Sequence, residues 1–262
     1  MMDLSLRGKR AIVCGSTDGI GKASALLMAE RGAEITLVAR NMEKLMACKN
    51  GLSVENEQNH TIVCADFNDP GLLRKNVNDY LSDGKTIQIL VNNSGGPPGG
   101  PIIEAEEKEF LTAINRHVIC NQILAKAVVP GMKAAGWGRI INIISTSVKQ
   151  VIPGLGVSNT TRGAVANWAR TMALELGEFG ITVNNILPGF TNTDRIRDLA
   201  ESRAKREGKT PEEIFEKWYK SIPLGRLAEP EETAAAVAFL ASGATDYINS
   251  ADVAVDGGRF GT

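Results

Sequence analysis

Tyrosine and histidine are scarce in this chain of 262 residues, which has three tyrosines (Tyr80, Tyr219 and Tyr247) and two histidines (His60 and His117). The histidines are not in ligand spacing, and the four cysteines, Cys14, Cys48, Cys64 and Cys120, include no Cys-x-x-Cys pair. A zinc centre is therefore not expected. Three of the cysteines lie in or beside apolar runs, as small core residues do in a protein of a reducing compartment. An excess of one charge sign is also missing. The 29 basic and 30 acidic residues leave a net charge of −1, which excludes the electrostatic footprint of a nucleic-acid binder. No apolar run reaches transmembrane length, and Met1–Arg10 lacks the apolar centre of a secretion signal. These absences predict a cytoplasmic protein with no metal, membrane or nucleic-acid partner.

What is present is apolar content of 43%, enough for one large core, distributed in a regular alternation. Short runs rich in Val and Ile read as strands at Arg10–Cys14, Glu34–Ala39, Thr61–Cys64, Ile87–Val91, Gly138–Ile144, Thr182–Leu187 and Asp252–Val255. Several are apolar nearly throughout, as strands covered on both faces must be. Helical periodicity fills the gaps at Ile20–Arg31, Met42–Asn50, Pro70–Ser82, Glu104–Lys133, Arg162–Phe179 and Glu231–Ser242. Repeated strand–helix units predict a parallel sheet of about seven strands, doubly wound, with helices on both faces. Neither a linker nor an internal repeat interrupts residues 1–262. One stretch, from about 192 to 225, is polar, charged and helix-prone, and lies beyond the end of a strand, where substrate lids are built.

The stretch Cys14-Gly15-Ser16-Thr17-Asp18-Gly19-Ile20-Gly21 joins the first strand to the first helix. Glycines let the backbone approach a pyrophosphate closely, and the helix N-terminus offers free N–H groups and a partial positive charge.

In its motifs the chain resembles the short-chain dehydrogenases/reductases, nearly end to end. Gly15-x-x-x-Gly19-Ile20-Gly21 is similar to that family's cofactor turn, and Asn92-Asn93-Ser94-Gly95 to its segment after the fourth strand. Asn115 falls where the family carries a helix asparagine and Ser145 where it carries a catalytic serine. Pro188-Gly189, Thr191 and Val255-Asp256-Gly257-Gly258 complete the set, which looks most like the β-ketoacyl-acyl carrier protein reductase branch. The resemblance implies a single Rossmann-like α/β domain, a nicotinamide cofactor, a small carbonyl or alcohol substrate, and a homodimer or homotetramer. In the last case the long helices pack on their symmetry mates; Val165, Trp168, Ala169 and Met172 form an apolar stripe wide enough for both roles.

The same resemblance exposes a departure. The family places a tyrosine about 13 residues after the serine and a lysine one helical turn further on, and the count lands on Ser158 and Arg162. No realignment supplies the tyrosine, because none of the three lies nearby, while Gly163-Ala164 and Arg170-Thr171-Met172-Ala173 keep the register. A serine hydroxyl is too weak an acid to replace the tyrosine, and arginine stays protonated. Loss of a positioned general acid costs ~10²–10⁴ in rate. His117, two positions from Asn115, reads as a packed or surface residue, and Tyr219 beside Trp218 as the apolar anchor of the insertion.

Cofactor choice rests on the end of the second strand. An acid there binds the ribose of NAD, whereas an arginine accommodates the 2′-phosphate of NADP. The strand runs into Arg40-Asn41 with no acid before Glu43, so Arg40, aided by Ser16, predicts NADP in preference to NAD. Asp18 stands where NADP-preferring relatives often carry arginine; Asp66-Phe67 stands where the family borders the adenine ring. Cys14 replaces the threonine that braces the glycine turn against the fourth strand, and a thiol braces weakly. Two readings stay open: an NADP-dependent oxidoreductase with altered proton delivery through Ser145, Asn115, Ser158 and Arg162, and a dinucleotide-binding protein without turnover and with a regulatory role.

Overall fold

The computed structural model describes residues 3–260, so four terminal residues of the expected 1–262 domain lie outside the described ones. Seven strands, β1 (Arg10–Cys14), β2 (Glu34–Ala39), β3 (Thr61–Cys64), β4 (Ile89–Asn92), β5 (Gly138–Ile143), β6 (Ile181–Pro188) and β7 (Asp252–Val255), form one sheet in the order β3-β2-β1-β4-β5-β6-β7. Every pairing is parallel.

The period-two geometry of the strands divides the core. Ala11 and Val13 of β1, with Ile35 and Leu37 of β2, face helices α1 (Gly19–Glu30), α2 (Met42–Asn50) and α9 (Pro230–Ala241). Ile12 and Cys14 face the other way, toward α3 (Pro70–Tyr80), α5 (Cys120–Ala135) and α6 (Gly156–Leu176). The sheet is thus covered on both faces, which is why its strands are mostly apolar. The strand order reverses between β1 and β4, and a crevice opens there at the carboxyl ends of the strands.

Two helical expectations need correction. The span Glu104–Lys133 is not one helix. It is α4 (Glu107–Ile114), a wide π turn at Asn115–Ile119, and α5. In the wide turn the Cys120 N–H bonds the Asn115 carbonyl, five residues back. Such single wide turns concentrate at functional sites. The helix expected at Arg162 begins at Gly156, because Thr160 and Thr161 turn their hydroxyls back onto the Gly156 and Val157 carbonyls and so sit in the helix without exposing polar groups.

The segment 192–225 forms a helical hairpin, α7 (Asp194–Glu207) and α8 (Pro211–Lys220). It has its own apolar centre of Phe190, Ile196, Ile214 and Trp218, with the Phe190 and Trp218 rings stacked 4.6 Å apart. Tyr219 stacks on Phe215 at 6.2 Å and belongs to this packing.

Candidate functional site

The crevice is a cleft of about 640 Å³ that runs from the glycine turn to the α7 helix. Its shape starts with glycine. Gly15 and Gly19 adopt φ of +57° and +49°. A Cβ on Gly21 would collide with the Gly15 carbonyl oxygen and lie 2.7 Å from Asn93 Nδ2. A Cβ on Gly19 would lie 2.9 Å from the Thr193 methyl, so the start of the hairpin leans on the turn. Asn93 Nδ2 donates to the Cys14 and Gly15 carbonyls at 3.2 and 3.3 Å. This amide, absent from the sequence-derived site, braces the turn, whereas the Cys14 thiol is buried and inert, its pKa pushed up mainly by burial. The bare backbone and exposed helix N-terminus fit a dinucleotide's pyrophosphate. Asp18 caps that helix, its Oδ1 accepting from the Gly19 N–H at 2.7 Å.

At the outer end of the cleft, Arg40 stands beside Asn41 and Lys44. Lys44 was not anticipated, although its place one turn into the helix that Asn41 caps was the available signal. Two cations and an amide at the end of β2 match a phosphate better than a ribose hydroxyl pair. Ser16 does not help: it is fully buried and its hydroxyl is turned onto the Val38 carbonyl.

Asp66, Phe67 and Asn92 also lie off the cleft wall. Asp66 accepts from the Asn68 N–H at 2.9 Å, and the Phe67 ring is in the core. Asn92 begins a ladder of buried amides on strands in register. Its Nδ2 donates to Asn142 Oδ1 at 2.8 Å, Asn142 to Asn185 at 3.0 Å, and Asn185 to Asp252 at 2.8 Å. Arg170 and Lys149 close the ladder on the other Asp252 oxygen. Burial pushes the Asp252 pKa up, but the Asn185, Lys149 and Arg170 contacts outweigh it and the net shift is downward.

The inner end of the cleft is built from β5 and α6. Ser145 Oγ, just past β5, accepts from the Ser147 N–H at 3.0 Å. Ser158 and Arg162, one turn apart on α6, open on the same space as Ser145, Ser94, Gly95, Pro188, Gly189 and Thr191. Arg162 is buried. Its two Nη atoms donate to the Ile143 carbonyl at 3.1 Å and the Ser94 carbonyl at 3.4 Å. Burial and then the charge of Arg195 lower its pKa to about 10, which leaves it cationic at neutral pH.

Asn115 is not part of the site. It is exposed, at the start of the wide turn, and does not line the cleft. The residue that the turn directs inward is His117, buried, with Nδ1 2.8 Å from Ser94 Oγ and Nε2 lacking any partner. Burial lowers its pKa to about 2, with the charges of Arg162, Arg116 and Arg195 adding to the effect. None of the three tyrosines reaches the cleft: Tyr80 bonds Thr36 and Thr61, Tyr219 packs in the hairpin, and Tyr247 is fully exposed. The apolar stripe of α6 is largely spent inside the molecule, with Val165 and Ala169 fully buried and Trp168 and Met172 packed on core residues.

A protein-family model described as Enoyl-(Acyl carrier protein) reductase matches residues 15–259. The chain is 31% identical to the 3-oxoacyl-[acyl-carrier-protein] reductase FabG of Chlamydia trachomatis serovar D, over 97% of this chain and 98% of the relative. It is 32% identical to the gluconate 5-dehydrogenase of Gluconobacter oxydans, over 97% and 95%. Among solved structures it is similar to L-sorbose reductase from Gluconobacter frateurii complexed with NADPH and L-sorbose, with a TM-score of 0.91, 31% identity and full coverage of both chains. Among the described residues no helix is long and apolar enough to cross a membrane. Sheet order, glycine cradle and end-to-end similarity agree: the chain belongs to the short-chain dehydrogenase/reductase family.

Proposed function

We propose that the protein is an NADP-dependent oxidoreductase that interconverts a carbonyl and an alcohol without a tyrosine acid. The observation that carries this reading is the build of one cleft: a glycine cradle with Arg40 and Lys44 at the outer end, and Ser145, Ser158 and Arg162 at the inner end. Relatives whose names or titles include 3-oxoacyl reductase, gluconate dehydrogenase and an NADPH complex support it. The cofactor supplies or takes a hydride. Gly15, Gly19 and Gly21 hold its pyrophosphate, and Arg40 and Lys44 its 2′-phosphate. Ser145 hydrogen-bonds the substrate oxygen, and a water held by Ser158 gives that oxygen its proton and is reprotonated from solvent. Arg162 holds positive charge beside that oxygen and gives up no proton. The helical hairpin is the substrate lid.

Absence of a tyrosine from the cleft also favours a second reading, a protein that binds the dinucleotide without turnover. NADPH fluorescence titration followed by a carbonyl screen separates the two: binding with turnover supports the first, binding alone the second, and no binding refutes both. We further propose a dimer or tetramer, supported by the strongly exposed Leu111 on α4 and Leu174 on α6. A monomer by light scattering at micromolar concentration refutes that assembly.

A further inference from the structure

Two cations meet over a glycine in the inner cleft, Arg162 buried and Arg195 exposed. A Cβ on Gly96 would lie 3.5 Å from Arg195 Nη2 and 3.9 Å from Arg162 Nη2, so the bare glycine keeps open a gap bordered by both guanidinium groups. Arg162 comes from α6 and Arg195 from α7, so the gap lies between the sheet side of the cleft and the hairpin. Their hydrogen bonds go to carbonyl oxygens alone, Arg162 to Ile143 and Ser94 and Arg195 to Pro97. Among the described residues neither is ion-paired. Asp198 on the same wall favours the charged form of Arg195, but burial outweighs it and the net shift is downward. Arg116 and the unpartnered Nε2 of His117 lie in the same neighbourhood.

Two like charges are held together here, that of Arg162 out of water and that of Arg195 at the mouth of the gap, each with donors to spare. Arg162 uses one N–H on each Nη, so three of its five donors are uncommitted. Buried charge of this kind needs a counter-charge. The planar guanidinium fork matches a planar two-oxygen anion.

We propose that Arg162 and Arg195 form a clamp for the carboxylate of the substrate, which is therefore a small oxo- or hydroxy-acid bearing a free carboxylate and not a thioester. This rests on the reductase reading for the role of the bound acid but not for its binding. The clamp sets specificity: it fixes the carboxylate end while the carbonyl end meets Ser145.

The probe is malonate, a dicarboxylate with no carbonyl to reduce, titrated calorimetrically into the protein saturated with NADP, beside its neutral counterpart malonamide. Malonate should bind and malonamide should not. Arg195→Met should weaken malonate by about ten- to a hundredfold, the loss expected for one charge-assisted pair. The same variant should leave the NADPH fluorescence titration within twofold of the parent. Malonate bound equally well by Arg195→Met, or not bound by the parent, overturns the clamp. So does malonate driven off competitively by NADPH, because the two arginines would then hold the cofactor's own phosphates. If no variant binds NADPH, the reductase reading falls by itself; malonate binding to the free protein that Arg195→Met abolishes then still upholds the anion site.

Discussion

Replacing Ser158 by Tyr and Arg162 by Lys tests the inner cleft most directly. Both positions lie on α6, one turn apart, and both open on the space that Ser145 borders. A tyrosine at 158 therefore enters a cleft of about 640 Å³ and does not displace core side chains. The cost falls on position 162. Arg162 spans the Ile143 and Ser94 carbonyls with two separate nitrogens, whereas a lysine has one. Losing one of these buried bonds should cost about 1.5–3 kcal/mol of stability. The gain is a phenol beside an ammonium that lowers its pKa, worth up to ~10²–10⁴ in rate, or about 3–5 kcal/mol of barrier. The assay follows loss of NADPH absorbance with a neutral oxo-ester, so that carboxylate recognition plays no part, and a thermal melt reports folding. Reduction should rise in the double variant and much less in either single one, since acid and cation act as a unit. If the double variant folds and binds NADPH yet loses activity that the parent has, Ser158 or Arg162 already serves another chemistry, and the picture of a weakened reductase is refuted.

Arg40→Asp should weaken NADPH by about 1.5–3 kcal/mol and NADH far less; equal affinities for the two cofactors in the parent would sink the assignment. His117 titrates near 2 when folded against 6.5 in the unfolded chain. Below pH 6.5 only the unfolded state takes up this proton, so the parent should lose about 1.4 kcal/mol per pH unit as acid is added. In denaturant melts His117→Gln should lack that slope, and a parent slope unchanged by the substitution contradicts the burial argument. Asn142→Ala strands Asn92 Nδ2 and Asn185 Oδ1 inside the sheet. It should cost about 2–6 kcal/mol, or roughly 5–20 °C in Tm; a fall below about 2 °C would show that the ladder contributes nothing.

The strands were legible because burial on both faces leaves few residue types to choose from, and β1, β2, β3 and β7 have the bounds that apolar runs predict. The glycine turn was equally legible, since the collision at Gly21 excludes any side chain. The wide turn was not. One extra residue in a helix leaves the apolar spacing nearly intact but rotates everything after it, so the apolar pattern gave no sign that the fold buries His117 against Ser94 while Asn115, taken from the family resemblance, stays exposed. The ladder was hidden for a different reason. Asn92, Asn142 and Asn185 each look like a polar interruption, and only the register reveals that they are neighbours. Arg195 was invisible because it arrives from a charged segment in which every basic residue looks solvated.

The ladder also has a direction. Asp252 can only accept, so Asn185 must turn its NH₂ toward it, and that choice obliges Asn142 and then Asn92 to turn the same way. One carboxylate at the edge of the sheet thus dictates the orientation of every amide up to β4, where Asn92 Oδ1 is left as the free accepting end. An asparagine at 252 would keep the shape of the row and erase its instruction, leaving two opposite alignments of nearly equal energy. The edge strand therefore carries a sense of orientation to the strand beside the glycine turn, with no atom moving between them.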